Sequence, residues 1–294
     1  MCHIRRKQYI MTEKEKLLKL FHTFAKFCDD NHLSYFAAYG TALGAIRHNG
    51  FIPWDDDIDV HMLRKDYDRM LQLRNELPAS YRIADISDIG YTAPFAKFID
   101  NNSSIWEFEH VPYMLGAYID IFPIDDCPKN NESLSIKAAF DKSFNNYYIS
   151  LQKWTYKDVV LRLLKGRPIA FWNSLKVKIY MSRRQKKYHT KLMTLYKKLI
   201  SLHDDNDCIS TCSVLPGKHF MKKEWFRETI EIKFEDTTIK VPKAYDQYLS
   251  FLYNNYMQEP PIDKRVTHHS RFFSDLERGL TIEEAKKIIK ENKK

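Results

Sequence analysis

Apolar and polar residues follow first a helical and then a strand spacing near the start of the chain. After Thr12, which precedes two nearby glutamates, apolar residues recur every three or four positions up to about Asp30, and this pattern predicts an amphipathic helix. The apolar segment 34–40 ends in a glycine and predicts a short strand that leads into a tight turn. The next ten residues, TALGAIRHNG, predict a short helix with Thr41 as its N-cap and the Asn-Gly pair at 49–50 as its stop.

Apolar and acidic residues alternate in the segment WDDDIDVHM, which covers residues 54–62. This alternation predicts a strand that lies over the core, and it places Asp55, Asp57 and Asp59 on the same face. The segments after it predict one helix and then three strands, at 64–77, 81–87, 93–100 and 116–125. The remaining patterns predict helices from about 132 to 205, a hairpin at 230–242, a helix at 243–257 and a terminal helix that begins near Thr281.

Composition and charge narrow the class of protein. The 294 residues are 44% hydrophobic, which is enough for a sizeable core. The net charge of +9 comes mostly from residues 153–200, whereas aspartates concentrate at 55–68 and 120–126. A basic chain favours an anionic partner, so this division predicts an acidic catalytic centre beside a basic docking surface. No nucleic-acid recognition motif accompanies the charge, and no nucleic-acid partner is expected.

The basic segment 153–200 also contains many leucine and aromatic residues. Such a mixture is typical of a helix that lies on an anionic membrane, and a solvated helical face over a core is the alternative. Five cysteines, an odd number spread along a long chain, indicate reduced thiols. No run of about 18 apolar residues occurs. We therefore expect a cytoplasmic protein, with peripheral contact on the inner face of the cell membrane as a further expectation.

Four aspartates lie within the five residues 55–59 and would repel one another strongly unless cations neutralise them. An Asp-x-Asp pair on one strand face presents two hard oxygen ligands to one point, which suits Mg²⁺ or Mn²⁺ that holds substrate phosphates. We expect Asp57 and Asp59 to be catalytic metal ligands, with Asp55 as a further metal ligand. The alternative is a solvated acidic turn.

A glycine turn precedes these acids. Gly40 and Thr41, at the predicted strand-to-helix junction, let backbone N–H groups and a hydroxyl approach a phosphate. A Gly-Thr turn followed by paired acids is the layout of the nucleotidyltransferase fold, which calls for a further carboxylate from a neighbouring strand. Asp120 is the predicted third catalytic and metal-binding carboxylate, and Asp125 is the second candidate for this position. Asp120 would orient or deprotonate an acceptor hydroxyl.

The expected fold is therefore α+β, a nucleotidyltransferase-like mixed sheet flanked by helices, with a helical basic insertion. Residues 1–128 are expected to form the catalytic core. Residues 129–212 would be the insertion, which docks the acceptor or a membrane, and residues 213–294 would complete the catalytic domain.

The stretch YGTALGAIRHNGFIPWDDDIDVHMLRKDY, residues 39–67, resembles the signature of the LicD family, which includes bacterial phosphocholine transferases and is related to fukutin and fukutin-related protein. Later segments, among them APFAKFID and YIDIFPID, resemble further landmarks of the family. The resemblance covers roughly residues 14–126 and 214–272. Where the family usually ends its late helix in a Tyr-Gly-Asp turn, this chain has YNNY at 253–256.

The resemblance implies Mg²⁺- or Mn²⁺-dependent transfer of phosphocholine, or a related phospho-alcohol, from a CDP-alcohol to a glycan. The acceptor would be a hydroxyl of a cell-surface glycan or its lipid-linked precursor, in lipopolysaccharide, teichoic acid or capsule biosynthesis, and CMP would leave. Gly40 and Thr41 would line the phosphates. Basic residues would neutralise phosphate charge, and the candidates are Arg47, Lys97, Arg265, His268 and His269.

The sequence is also compatible with two other functions. A nucleotidyltransferase would use the same metal centre to transfer NMP from an NTP and release pyrophosphate. A non-enzymatic basic adaptor on a membrane would not need the aspartates at all. Each basic candidate also has a plainer interpretation, as a strand-end lysine, a helix C-terminal residue or part of a solvated loop.

Overall fold

Seven strands form one mixed sheet in the computed structural model, which describes residues 12–202, 207–210, 220–267 and 271–292. These strands are β1 (Phe36–Ala37), β2 (Asp59–Leu63), β3 (Tyr81–Ala84), β4 (Ala96–Asp100), β6 (Tyr118–Asp126), β7 (Asp207–Ser210) and β8 (Phe220–Lys222), with β5 (Ser104–Trp106) outside this sheet. The order is β1-β2-β6-β4-β3, while β7 pairs with the end of β6 and β8 with β7. Strands β2 and β6 run parallel, and the other neighbours run antiparallel.

Helices and two smaller strand pairs surround the sheet. The helices are α1 (Glu13–Asp30), α2 (Tyr39–His48), α3 (Arg64–Gln72), α4 (Asn131–Leu151), α5 (Tyr156–Leu164), α6 (Pro168–Lys176), α7 (Gln185–Ile200), α8 (Tyr245–Tyr253) and α9 (Ile282–Glu291). The hairpin pairs β9 (Thr229–Phe234) with β10 (Thr237–Pro242), and β11 (Phe273–Asp275) pairs with β5. The fold is α+β, as the sequence predicts. None of the helices in the described ranges is long and apolar enough to cross a membrane.

Strong local signals produce the expected elements. Thr12 caps α1, and its hydroxyl and the Glu15 carboxylate form reciprocal hydrogen bonds with each other's backbone. Thr281 caps α9 in the same way. Asn49 ends α2 in the left-handed conformation, which an asparagine tolerates better than most residues.

The segment around the glycine turn differs from the prediction. Strand β1 has only two residues, because the chain turns at Tyr39, whose φ is +43°. Helix α2 begins there with Ala38 as its N-cap, so the prediction that Thr41 is the cap was wrong. The Thr41 hydroxyl instead accepts a hydrogen bond from the backbone of Asp59.

The predicted strand over the acidic segment is shorter than expected. Strand β2 begins at Asp59, and residues 55–58 form a loop without regular hydrogen bonding that leads into it. The expectation that Asp55, Asp57 and Asp59 share one strand face was therefore wrong in its geometry. Burial explains the boundary, because Ile58 and Asp59 lie in the core whereas residues 55–57 are only half-buried.

The helical segment after β6 builds a second apolar cluster. Helices α4 and α7 pack against each other through Phe140, Tyr147, Leu192 and other buried residues. His189 on α7 contacts the carbonyl of Ile86 at 2.9 Å, which ties this cluster to the loop after β3. The division of the chain at residues 128 and 212 stays a prediction.

Phe24→Ala tests the packing of α1 against the sheet. The Phe24 ring is fully buried, and its centroid lies 5.3 Å from Tyr35 and 5.6 Å from Phe98. Removing it leaves a cavity that should lower the free energy of unfolding by about 3–5 kcal/mol. Lys19→Ala, on the exposed side of the same helix, is the matched control and should change it by less than about 0.5 kcal/mol in urea unfolding. Equal effects of the two changes would contradict this account of the core.

Candidate active site

Three charged side chains lie side by side on three neighbouring strands of the sheet. Asp59 on β2 is in register with Asp120 on β6, and Asp120 is in register with Lys97 on β4. Because residues in register on adjacent strands point to the same face, the three side chains lie in one row. All three are buried, and the Lys97 ammonium donates to an Asp120 carboxylate oxygen at 2.5 Å. The sequence predicts each residue, but not the ion pair.

The row carries a surplus of negative charge. Burial, followed by repulsion from Asp57, Asp120 and Asp55, raises the pKa of Asp59 well above its usual range, and Lys97 only partly opposes this. These aspartates therefore converge around Asp59, although only Asp59 and Asp120 are on strands. Lys97 is the cation that shares their burial, and its ammonium also lies 3.4 Å from the centre of the Tyr118 ring.

The glycine turn holds the acids in place. The Thr41 hydroxyl accepts the backbone N–H of Asp59 at 2.8 Å and is itself buried. Gly40 leaves room for the Asp55 carboxylate, since a Cβ atom at Gly40 would lie 2.5 Å from an Asp55 oxygen. Both residues thus contact the acidic segment directly. Their predicted contacts with a phosphate stay a prediction.

Basic side chains brace the acidic loop from its other side. Lys14 on α1 donates to the carbonyls of Ile52 and Pro53, both at 3.1 Å. Arg271 pairs with Glu13 and also lies 3.8 Å from the Asp56 carboxylate. The start of α1 and the segment before β11 therefore fix the position of residues 52–57.

Arg47 and Arg265, predicted separately as phosphate contacts, lie close together. Burial is the main cause that lowers the pKa of Arg47. Glu259 opposes this effect, and the nearby positive charge of Arg265 adds to it. The Arg265 guanidinium lies 5.1 Å from the centre of the Trp54 ring, next to Asp55 in the chain, and pairs with Glu259 at 2.7 Å. The two arginines form a basic site beside the acidic loop. His268 and His269 lie outside the described residues.

Asp125, the second candidate for the third carboxylate, has another role. It is buried and accepts two hydrogen bonds from Arg64, at 2.6 and 3.1 Å. It is five residues from Asp120 on one strand, so the alternation of side chains directs the two to opposite faces. Asp125 therefore stabilises the packing of α3 instead of joining the row.

Tyr253 is a residue near the acids that the sequence does not reveal. Burial and then the Asp59 carboxylate raise its pKa, which places the end of α8 beside the row. The hydroxyl of Tyr248, five residues earlier on α8, accepts a hydrogen bond from the backbone N–H of Tyr39 at 3.1 Å and lies 3.2 Å from the His61 Nε2 atom. The only available signal was the family landmark at this helix, where the chain differs from the usual turn.

The donor set fits a divalent cation that is shared with a substrate. Among the described side chains, no three His, Cys, Asp or Glu residues converge tightly enough to hold an ion by themselves. Mg²⁺, however, is usually bound through one or two carboxylates together with waters and substrate phosphates. Buried, mutually repelling oxygens at Asp59 and Asp120 suit that arrangement, with Asp57 next to them.

Comparison with known proteins finds one family match and several relatives. Residues 32–161 match the family described as LicD/FKTN/FKRP, nucleotidyltransferase domain. The lipopolysaccharide cholinephosphotransferase LicD of Haemophilus influenzae is 28% identical over 263 residues, which cover 86% of this chain and 92% of that protein. Uncharacterized proteins of Rickettsia typhi and Rickettsia prowazekii are 37% and 30% identical over 62 and 93 residues, about a fifth and a third of each chain.

Thr41→Val tests whether the hydroxyl positions Asp59. Valine has nearly the same shape but leaves the buried Asp59 N–H without its acceptor, so the free energy of unfolding should fall by about 1–3 kcal/mol. Thr41→Ser keeps the acceptor and should recover most of that loss in urea unfolding. If the Thr41→Val variant had the same free energy of unfolding as wild type, the hydrogen bond from Asp59 to Thr41 would not stabilise this part of the site.

Proposed function

Since the chain belongs to the LicD family, we propose that it transfers phosphocholine from CDP-choline to a hydroxyl group of a lipopolysaccharide or a related surface glycan. The observation that carries the proposal is the buried row of Asp59, Asp120 and Lys97, which lies inside residues 32–161, the part of the chain that matches the LicD/FKTN/FKRP family, nucleotidyltransferase domain. The cholinephosphotransferase of Haemophilus influenzae is matched over nearly its full length, which supports the same reaction class.

The reaction exchanges a phosphoanhydride bond of the donor for a phosphate ester bond to the acceptor. The acceptor oxygen attacks the phosphorus that carries choline, an O–P bond forms, and the bond from that phosphorus to the bridging oxygen of CMP breaks. Asp120 orients the acceptor hydroxyl and takes its proton. Lys97 sits against Asp120 and offers positive charge to the phosphoryl oxygens, where negative charge has to be stabilised in the transition state.

The nucleotide end of the donor would lie beside the acidic loop. Arg47 and Arg265 provide paired positive charge for the diphosphate, and Trp54 lies under Arg265. A divalent cation, held by Asp57, Asp59 and Asp120, would neutralise the phosphate oxygens as a Lewis acid. The same residues would serve a nucleotidyltransferase, so the leaving group separates the two reactions: CMP for the proposed transfer, pyrophosphate for the rival.

Asp59→Asn should separate activity from stability. The amide cannot replace the carboxylate towards a cation, so CMP release from CDP-choline in Mg²⁺ or Mn²⁺ should fall at least about a hundredfold. The unfolding midpoint in urea should stay the same or rise, because the change removes a buried charge that its neighbours repel. Asp68→Asn, on the exposed side of α3, is the matched control and should keep full turnover.

Other outcomes of that assay point elsewhere. Pyrophosphate released from an NTP, with no CMP from any CDP-alcohol, would assign the chain to nucleotidyl transfer. Full function of Asp57→Asn and Asp59→Asn together would favour the non-enzymatic adaptor. Mn²⁺ should also raise the melting temperature of the wild-type protein but not of Asp59→Asn, a readout that does not depend on turnover.

We also propose that the acceptor is met at an anionic membrane surface. Helices α5 and α6 and the turn after them expose many large apolar side chains: Tyr156, Val160, Leu161, Leu163, Leu164, Ile169, Trp172, Ile179 and Tyr180. Between residues 156 and 184 the chain also has eight lysines and arginines but one acidic residue, Asp158. Exposed apolar groups among positive charges match the interface of an anionic bilayer.

Leu164→Ser and Trp172→Ser test this surface. Leu164 is 77% and Trp172 is 65% exposed, so both can be replaced without opening the core. Each change should weaken binding to phosphatidylglycerol-containing vesicles about tenfold, as expected when a large apolar contact of about 1.4 kcal/mol is lost. Ile89→Ser, at an exposed apolar position on another part of the protein, should bind like wild type in a vesicle sedimentation assay.

The charge dependence provides the second arm of this experiment. Raised salt should weaken binding, and vesicles of neutral lipid alone should bind poorly. Self-association through the same apolar surface would instead appear without vesicles, as a concentration-dependent increase in mass that Leu164→Ser abolishes. That result would contradict membrane docking.

A further inference from the structure

A cavity opens beside the acidic loop, between the end of β5, helix α4 and the segment before β11. Its volume is about 390 Å³. Aromatic and acidic side chains line most of it, among them Phe108, Tyr148, Phe272 and Glu107. Arg271 lines one side, and this is the arginine that lies 3.8 Å from Asp56 in the acidic loop. The cavity therefore adjoins the candidate active site.

A chain of direct contacts links the cavity to the catalytic row. The Tyr118 hydroxyl donates to a Glu107 carboxylate oxygen at 2.7 Å, while its ring lies against the Lys97 ammonium. Lys97 in turn donates to Asp120. The Tyr118 ring is thus a thin wall, with the catalytic row on one side and the acidic end of the cavity on the other.

Several of the residues that line the cavity are aromatic and pack against other rings. Phe108 is 44% exposed and packs edge-on against Tyr148, with ring centroids 5.8 Å apart. Phe272 packs edge-on against Trp106 at 4.9 Å. Trp154 also lines the cavity. The centre of its ring lies 3.7 Å from the centre of the His110 ring and 4.0 Å from the Arg162 guanidinium.

Charge divides the cavity into two ends. Glu107 and Glu109 make the aromatic end negative, whereas the end next to Asp56 holds the Arg271 guanidinium, whose charge Glu13 and Asp56 partly offset. Burial, followed by Glu107, raises the pKa of Tyr148 to about 12, so its hydroxyl stays neutral and its ring keeps the ordinary phenol character. A purely apolar ligand would gain nothing from two carboxylates, and a plain alcohol would gain little from aromatic rings.

We propose that this cavity binds the phosphocholine end of the donor, with the trimethylammonium among Phe108, Tyr148 and Glu107 and the phosphate towards Arg271. The inference rests on the proposed function and extends it, because it assigns the choice of alcohol to specific side chains. A quaternary ammonium cannot donate hydrogen bonds and is stabilised by aromatic faces and a nearby carboxylate. The zwitterion matches the carboxylates at one end of the cavity and the guanidinium at the other.

Equilibrium binding of phosphocholine and of phosphoethanolamine tests the proposal directly. Wild-type protein should bind phosphocholine more tightly. Phe108→Leu and Tyr148→Leu keep an apolar side chain but remove the ring, and each should raise the dissociation constant for phosphocholine about three- to tenfold, the range of a cation–π contact. The constant for phosphoethanolamine should change much less. Phe108→Trp should retain wild-type affinity, since tryptophan is the strongest cation–π partner.

Matched variants separate charge and surface effects. Glu107→Gln still accepts from Tyr118 but lacks the charge, so it should weaken phosphocholine binding with little loss of stability. Leu134→Ala, at an exposed position on the same helix as Tyr148, should bind like wild type. Wild-type affinities that are equal for the two ligands, or leucine variants that bind like wild type, would overturn the proposal.

Turnover in the same variants distinguishes failure of the cavity from failure of the function. Weaker CDP-choline binding should appear as a raised KM with a smaller change in kcat. Wild-type CMP release combined with unchanged KM in the leucine variants would leave the function standing and reject the cavity. Selective phosphocholine binding without CMP release would support the cavity and reject the proposed transfer.

Discussion

The structure depends on two buried carboxylates that lie on neighbouring parallel strands and share one buried lysine as their nearest cation. Asp59 and Asp120 cannot move apart, because their backbones are joined in register, and Lys97 compensates only part of their charge. The surrounding structure keeps this arrangement in place through the Thr41 hydroxyl and the lack of a side chain at Gly40. In the proposed function, a divalent cation shared with the diphosphate substrate would offset the remaining negative charge.

Local patterns predicted much of the fold, whereas the contacts between distant segments were beyond them. The capping box at Thr12 and the stop at Asn49 are properties of a few consecutive residues, so the sequence revealed them. The pairing of Lys97 with Asp120 depends on the register of β4 against β6, which no spacing within either segment specifies. The alternation at 54–62 predicts a strand over the whole segment. In the structure, residues 54–57 are only half-buried, and the buried part of the segment begins at Ile58.

The same limit applies to the candidate site. Paired acids after a glycine turn indicated the aspartates, and the family resemblance added Arg47 and Arg265, which the fold brings together across more than 200 residues. Thr41 was expected at a phosphate, yet its hydroxyl is engaged by a backbone N–H, an interaction that depends on how α2 crosses β2. Glu107 had no distinguishing signal, and Tyr253 had only the family landmark at the end of its helix, since tyrosines and glutamates occur throughout this chain.

The distribution of charge around the acids gives the donor a direction. A basic site at Arg47 and Arg265 lies next to Trp54, at the start of the acidic loop, and the aromatic cavity with its carboxylates is reached past Arg271, which lies near Asp56. In the proposed transfer, a CDP-alcohol in this direction would place its nucleotide at the arginines and its alcohol towards α4. The Arg162 guanidinium of α5 packs on Trp154 in the cavity wall, so the apolar and basic surface of the helical segment continues from the alcohol end. An acceptor at a membrane would then approach the phosphorus from the helical segment, opposite to the leaving CMP, which is the geometry that an in-line displacement requires.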